Sequence, residues 1–313
     1  MATDCLRTDG PSGASAPARP LVRVRDLRIA FRLGSRTSVP VRRVSFEISP
    51  RARVALVGES GSGKSLTALA LGSLVDRAEI SGEILGTPRL GYVFQNPMQS
   101  LNPVLRIGGQ IAENLRGKRA ADAAVASLLE AVGLPAAVAR RYPCELSGGQ
   151  QQRVMIAMAL AAEPELLIAD EPTTALDVTT QREVLELVER VAAERGMAVL
   201  LITHNLGLVA RHADVVYVMY AGEIVESGRV EDVLAAPRHP YTQGLLAAVP
   251  SLEAPKDAPL TDMPGTVPPP WAWPAGCAFH PRCPKAREAC ARPDFGICPE
   301  LAAAPGSAKE PGR

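Results

Sequence analysis

Long apolar runs are missing from this chain of 313 residues. None approaches the roughly 20 residues that a helix needs to span a bilayer. The opening stretch, MATDCLRTDGPSGASAPARP, also has no apolar segment of the secretory kind. The expectation is a chain that stays in the cytoplasm. An excess of charge of either sign is missing as well. The 34 Lys and Arg against 33 Asp and Glu leave a formal charge of +1, so there is no basic stripe to hold a polyanion, and nucleic acid is not an expected partner. Cysteine is sparse, six in all, too few for a disulfide framework at this size. Four of them, Cys277, Cys283, Cys290 and Cys298, nevertheless crowd into one C-terminal stretch, which in a reducing compartment points to a metal before disulfides.

What remains is the composition of a globular protein, 47% hydrophobic, with length for one main domain and an appendage. Residues 1–20 are rich in Ser, Pro and Ala and read as a solvated tail. From Leu21 the alternation of Val22, Val24, Leu27, Ile29 and Phe31, then Val44, Phe46 and Ile48, predicts half-buried antiparallel strands. A buried-strand run, VALVG, then leads through a glycine-rich turn into a helical stretch from Lys64 to Leu74, the start of a parallel α/β core. The period from Pro103 to Leu134 is helical, with turn signals at Gly117 and Gly133, and reads as part of a helical insertion over about 103–160. The α/β rhythm returns with LLIAD, a helix from Val178 to Arg195, the strand AVLLIT, a short helix, and two strands around Ala221-Gly222. The main domain is expected to run from 21 to 236. A proline-dense extension follows over 237–304, and then a flexible tail over 305–313.

The chemistry begins at GESGSGKS, Gly58 to Ser65, which fits G-x-x-x-x-G-K-[ST] and stands between a predicted strand and a predicted helix. Gly61 and Gly63 let the backbone wrap closely around phosphates. The N–H groups of Gly61, Ser62, Gly63 and Lys64 point inward, and the helix N-terminus adds partial positive charge. Ser60 lies in the same loop. Lys64 is placed to neutralise the β- and γ-phosphates, and the Ser65 hydroxyl to ligate Mg²⁺. The strand from Leu166 ends in two acids. Beside a phosphate loop, Asp170 falls near the metal and Glu171 is left to orient the attacking water. His204 closes a further strand, where its imidazole can donate to a γ-phosphate oxygen.

LSGGQQQR, Leu146 to Arg153, adds a second phosphate-binding helix N-terminus formed by Ser147, Gly148, Gly149 and Gln150. With this string the chain resembles the ATPases of ABC transporters. The resemblance implies an α/β fold of the phosphate-loop NTPase type: a mainly parallel sheet, an N-terminal antiparallel β subdomain, an inserted helical subdomain and a small cysteine-containing C-terminal extension. It implies a head-to-tail dimer in which each subunit's ATP meets the other's signature. It also assigns Gln95 in YVFQNP to the loop that links the γ-phosphate and Mg²⁺ to the membrane subunits, and Asp177 in TALD to the inter-subunit loop. Phe31 is assigned to stacking on adenine, with core packing as the other reading.

QNPMQSLNPV from Gln95, HPYTQGLLAAVP from His239 and MPGTVPPP with GCAFHPRCPKAREAC from Met263 resemble the oligopeptide, dipeptide and nickel importer branch. GESGSGKSLTALAL looks like the first of that branch's two ATPase subunits. The resemblance implies a peripheral subunit on the cytoplasmic face of the cell membrane. Its expected partners are a different ATPase subunit, two permease subunits and an extracytoplasmic solute-binding protein. Three departures stand out. The segment from Ser81 to Gly91 is short, Asn205 stands where Asp is usual, and Cys144 stands where His is common. The spacing of the four C-terminal cysteines leaves an iron–sulfur cluster, such as a four-iron four-sulfur centre, and a zinc site with His280 both open. A soluble ATPase acting on DNA or the ribosome would need a heptad-bearing insertion or a tandem cassette, and neither is present. A metal-cluster sensor with secondary ATPase activity has only the cysteines to support it.

Overall fold

The computed structural model describes residues 19–115, 121–174, 176–249, 263–296 and 298–302. The expected tail over 1–20, apart from its last two residues, lies outside them, as do the tail over 305–313 and the turn signal at Gly117. Nine strands among the described residues form one sheet. They are β1 (Val22–Leu33), β2 (Arg36–Ile48), β3 (Arg53–Val57), β4 (Glu79–Leu85), β5 (Leu90–Val93), β6 (Leu166–Asp170), β7 (Ala198–Thr203), β8 (Val215–Tyr220) and β9 (Glu223–Arg229), in the order β4-β1-β2-β9-β8-β3-β7-β6-β5.

The two halves of the sheet follow from two sequence patterns. Strands β3, β6 and β7 are nearly continuous apolar runs, buried on both faces, and they pair in parallel with their neighbours, as strands covered on two sides must. Strands β1 and β2 alternate and form an antiparallel hairpin, Val22 opposite Ile48 and Val24 opposite Phe46, with one face turned into the core. The short segment near Ser81 still supplies an edge strand, since β4 pairs antiparallel with β1 from Arg23↔Leu85 to Ala30↔Glu79. The two halves meet where β2 and β9 pair in parallel at Arg43↔Glu223.

Helix α1 (Lys64–Leu71) follows β3 and ends at Gly72, short of the expected Leu74. The helical stretch expected from Pro103 to Leu134, with a turn at Gly133, consists of separate short helices. Helix α2 (Pro97–Ser100) precedes it, α3 (Ile107–Glu113) and α4 (Ala121–Ala131) lie within it, and residues 101–106 are not helical. Pro103 explains the gap, because it disfavours helix in the residue before it and has no N–H to donate. Two short 3₁₀ turns then lead to α5 (Gly148–Leu160). These helices share one apolar cluster, in which Ile111, Leu129 and Ile156 pack with Leu167 of β6 and with Val188 of α6 (Val178–Arg195).

After α7 (Leu206–His212), α8 (Val230–Ala235) and α9 (Pro240–Ala247), regular structure thins into turns. The extension docks through aromatic rings. Tyr220 of β8 lies 4.6 Å from Tyr241 and 5.2 Å from Phe279 between ring centroids, and all three rings are buried. No described helix is long and apolar enough to cross a membrane.

Candidate functional site

Four parallel strands end at one edge of the sheet, and the segments that leave them carry Gly58–Ser65 after β3, Gln95 after β5, Asp170 and Glu171 at the end of β6, and His204 after β7. The carboxyl edge of a parallel sheet is where α/β folds collect their ligand-binding loops. Gly58 is essential to the loop's course. A Cβ there would stand 2.0 Å from the carbonyl oxygen of Met219, and at Gly63 it would stand 2.7 Å from that of Pro40, so β8 and β2 brace the loop from below. Thr67 Oγ1 donates to Gly63 O at 3.0 Å and ties the loop to α1.

Lys64 is buried and folds back over its own loop. Its ammonium donates to Gly58 O at 2.8 Å, to Glu59 O at 2.9 Å and to Ser62 Oγ at 3.3 Å. Burial pulls its pKa below the usual lysine value, against the opposing pull of Glu171 and Asp170. Ser65 Oγ donates to Asp170 Oδ1 at 3.0 Å, and Tyr92 OH donates to Asp170 Oδ2 at 3.0 Å. Burial raises the Asp170 carboxyl above its ordinary range, while the two hydroxyls work the other way.

Glu171 is held in a left-handed conformation, φ 44°, and its N–H donates to Ile202 O at 2.9 Å. A non-glycine residue at positive φ costs on the order of 1 kcal/mol or more, and the surroundings sustain it. Its carboxylate is gripped from three sides. Gln95 Nε2 donates to Oε2 at 3.1 Å, Thr174 Oγ1 donates to Oε2 at 2.9 Å, and His204 Nδ1 lies 3.1 Å from Oε1. Burial alone would raise its pKa. The hydrogen bonds from His204 and Thr174, with Lys64 nearby, outweigh that and hold it below the usual glutamate value, so Glu171 is ionised at neutral pH.

The signature segment stands apart from this cluster. Ser147 caps α5 by a reciprocal pair in which its Oγ accepts from Gln150 N at 3.3 Å and its own N–H donates to Gln150 Oε1 at 3.0 Å. Leu146 is buried beneath the cap. A Cβ on Gly149 would lie 2.7 Å from Thr180 Cγ2, so this glycine lets α5 approach the start of α6. That start is capped by Asp177, whose Oδ1 accepts from Thr179 N and Thr180 N and whose Oδ2 accepts from Thr180 Oγ1 at 2.7 Å. Phe31 is half-buried and rests against the core of the antiparallel strands.

The ABC transporter family model matches residues 41–174, and a model of the oligopeptide/dipeptide transporter C-terminal region matches residues 225–290. A provisionally named peptide import ATP-binding protein of Brucella ovis is 47% identical over 309 residues, covering 87% of this chain and 91% of that protein. A similarly named protein of Brucella abortus is 44% identical over 306 residues, covering 89% and 92%. The chain belongs to the ATP-binding proteins of ABC transporters. Among solved structures, the dimeric ATP-binding cassette MJ0796, in a post-hydrolysis state with ADP and Pi, superposes with a TM-score of 0.60 at 26% identity over 67% of this chain and 98% of that one. The cbiO1 protein of Clostridium perfringens, part of the ABC transporter complex cbiONQ, gives 0.60 at 25% identity over 69% and 91%.

In this ABC ATPase the structure brings Lys64, Ser65, Gln95, Asp170, Glu171 and His204 together, while Phe31 and the signature lie outside the hydrogen-bonded cluster. Two participants escaped the sequence reading. Tyr92 supports Asp170, and its position on β5 three residues before Gln95 was the available signal. Thr174 supports Glu171 from the turn after the strand. The substitution at Asn205 is absorbed locally, because its Oδ1 caps α7 by accepting from Gly207 N at 2.9 Å and from Leu208 N at 3.3 Å, a task Asn and Asp perform about equally. Cys144 is exposed in the turn before the signature.

The oxygen donors Ser65 Oγ and Asp170 Oδ1, already 3.0 Å apart, suit a hard cation such as Mg²⁺. The cysteine extension gives a mixed result. Cys277, Cys283, Cys290 and Cys298 line one cavity of about 20 Å³ and form no disulfide. Burial, with Cys298 and Cys290 nearby, raises the thiols of Cys277 and Cys283. Yet among the described residues no three His, Cys, Asp or Glu side chains are grouped closely enough to hold a metal ion.

Proposed function

We propose that this ATPase powers peptide import, as one half of a dimer of unlike subunits docked on two permeases at the cytoplasmic face of the membrane and fed by a solute-binding protein outside it. The proposed division is a nucleotide-binding domain over 21–236, with helices inserted at about 103–160, and an extension over 237–304. The observation that carries the proposal is the convergence of Lys64, Ser65, Gln95, Asp170, Glu171 and His204 at one sheet edge, with the Ser147 cap held apart from them. The C-terminal family match and the relatives' names support peptide as cargo. Exposed Val104 and Leu105, in the bend before α3, supply an apolar spot suited to a membrane subunit.

In the catalytic cycle Lys64 exchanges its three loop acceptors for the β- and γ-phosphates, and the N–H groups of Gly61, Ser62 and Gly63 close around them. Phe31 offers a ring face to the base. Ser65, Asp170 and Gln95 would hold Mg²⁺, which screens the phosphate charge. Glu171, ionised, accepts a hydrogen bond from the attacking water. As the water's oxygen bonds to the γ-phosphorus, its proton passes to the Glu171 carboxylate, the bond to the β–γ bridging oxygen breaks and ADP leaves with that electron pair. His204 steadies Glu171 and reaches the γ-phosphate. The partner's nucleotide is met by Leu146–Gln150, with Asp177 at the seam.

Proteoliposomes holding the assembled importer test the reading. Ser147→Arg is expected to leave ATP binding by this chain within about twofold while cutting hydrolysis and peptide uptake by more than about tenfold, because the signature faces the partner's nucleotide. Unchanged hydrolysis would count against the sandwich, and hydrolysis without peptide uptake in the parent assembly would count against the cargo.

The four cysteines form the proposed metal centre, iron–sulfur in preference to zinc, which orders the extension and takes no part in hydrolysis. Thiol donors and a proline-rich segment short of apolar residues support it. Closure around a metal would draw the four sulfurs together from the cavity they now line. Anaerobic purification with iron, zinc and sulfide analysis is expected to find metal in stoichiometric amount. Colourless, metal-free and fully folded protein would end the idea.

A further inference from the structure

The geometry points to Arg282, in the cysteine extension, as a positioning residue for the phosphate loop, acting through Glu59; this rests on the reading of that loop as the ATP site. Arg282 is only 8% exposed. Its Nη1 donates to Glu59 Oε2 at 3.0 Å and lies 3.4 Å from Tyr220 OH, and its Nε donates to Pro264 O at 2.8 Å. The guanidinium carbon stands 5.8 Å from the Tyr220 ring centroid and 5.9 Å from that of Phe279, so the plane is confined on several sides. The pair spans 223 residues of chain.

Glu59 is the second residue of the phosphate loop, and each of its polar groups is engaged. Its carboxylate accepts from Arg282. Its N–H donates to the buried Tyr241 OH at 2.8 Å, and its carbonyl accepts from Lys64 Nζ at 2.9 Å and from Ser62 N at 3.2 Å. The extension thus supplies both outer restraints, Arg282 and Tyr241, on Glu59, whose carbonyl together with that of Gly58 parks Lys64 before nucleotide arrives. A loop fixed in advance loses less freedom when phosphates bind, so the clamp favours binding without touching the nucleotide. Neither residue belongs to the reacting cluster, and so turnover at saturation does not depend on them.

Arg282→Gln is expected to weaken the affinity for the fluorescent analogue mant-ATP about tenfold and to raise the KM for ATP in parallel, with kcat within about twofold. Arg282→Lys should recover part of the loss, since it keeps the charge and not the fork. In the double variant Glu59→Gln with Arg282→Gln, no unpaired charge faces the phosphates. The clamp is still missing, and affinity should stay about fivefold below the parent. Should Arg282→Gln fail to fold, Glu59→Ala carries the test, because it leaves Arg282 its bonds to Pro264 and Tyr220. It should lower affinity about fivefold in protein that still folds, any fall in melting temperature reflecting the unpaired Arg282 charge. Parent-like affinity in Glu59→Ala, or recovery in the double variant, would overturn the positioning role. A parent protein that binds no mant-ATP would instead sink the assignment of the nucleotide site.

Discussion

Glu171→Gln is expected to slow ATP hydrolysis by about 10²–10⁴-fold while ATP affinity stays within a few-fold of the parent. The amide keeps the shape and one acceptor oxygen, so the turn after β6 and its bond to Ile202 survive. What is lost is the negative charge that Thr174, Gln95 and His204 now surround. On the proposed mechanism that charge orients and polarises the attacking water. The assembled variant should accumulate as an ATP-bound closed dimer, visible by size-exclusion chromatography with ATP retained. Hydrolysis within about threefold of the parent would remove Glu171 from its role.

Lys64→Ala should act one step earlier. The ammonium makes three hydrogen bonds to its own loop, which on the proposed reading it exchanges for phosphate oxygens when nucleotide enters. Loss of a buried point charge on the phosphates is worth about 3 kcal/mol, or on the order of a hundredfold in ATP affinity. Isothermal titration with ATP measures it. Affinity unchanged from the parent would show that the backbone N–H groups alone hold the phosphates.

The contrast between these residues and Arg282 marks what local sequence could reveal. The phosphate loop, the acids after β6 and the signature are each continuous strings whose chemistry follows from their own spacing. The strands that carry them show their burial as unbroken apolar runs. Helix α6 was legible to the residue, Val178 to Arg195, because Asp177 caps its start and Gly196, at φ 64°, ends it. Over Pro103 to Leu134 the helical period and the turn signal at Gly133 match the helices found there, while the non-helical stretch through residue 106 shows only in the fold, where packing against β6 and α6 sets the spacing. Tyr92 and Thr174 were missed because their value lies in hydrogen bonds to carboxylates 78 and 3 residues away, which no periodicity encodes. The Arg282–Glu59 pair is the extreme case, since each partner alone reads as an ordinary surface charge.

Strand β3, which launches the phosphate loop, lies between β7 and β8 and has neither neighbour near it in the sequence. Its first residue, Arg53, receives its partner Asp214 from 161 positions downstream. On a ribosome adding about 5–20 residues each second, that delay is on the order of 8–30 s. For most of that interval, until β7 arrives, an apolar strand and a glycine-rich loop wait without a parallel neighbour to join. Changes that slow translation between β3 and β7 are expected to lower the yield of folded protein without altering the folded product.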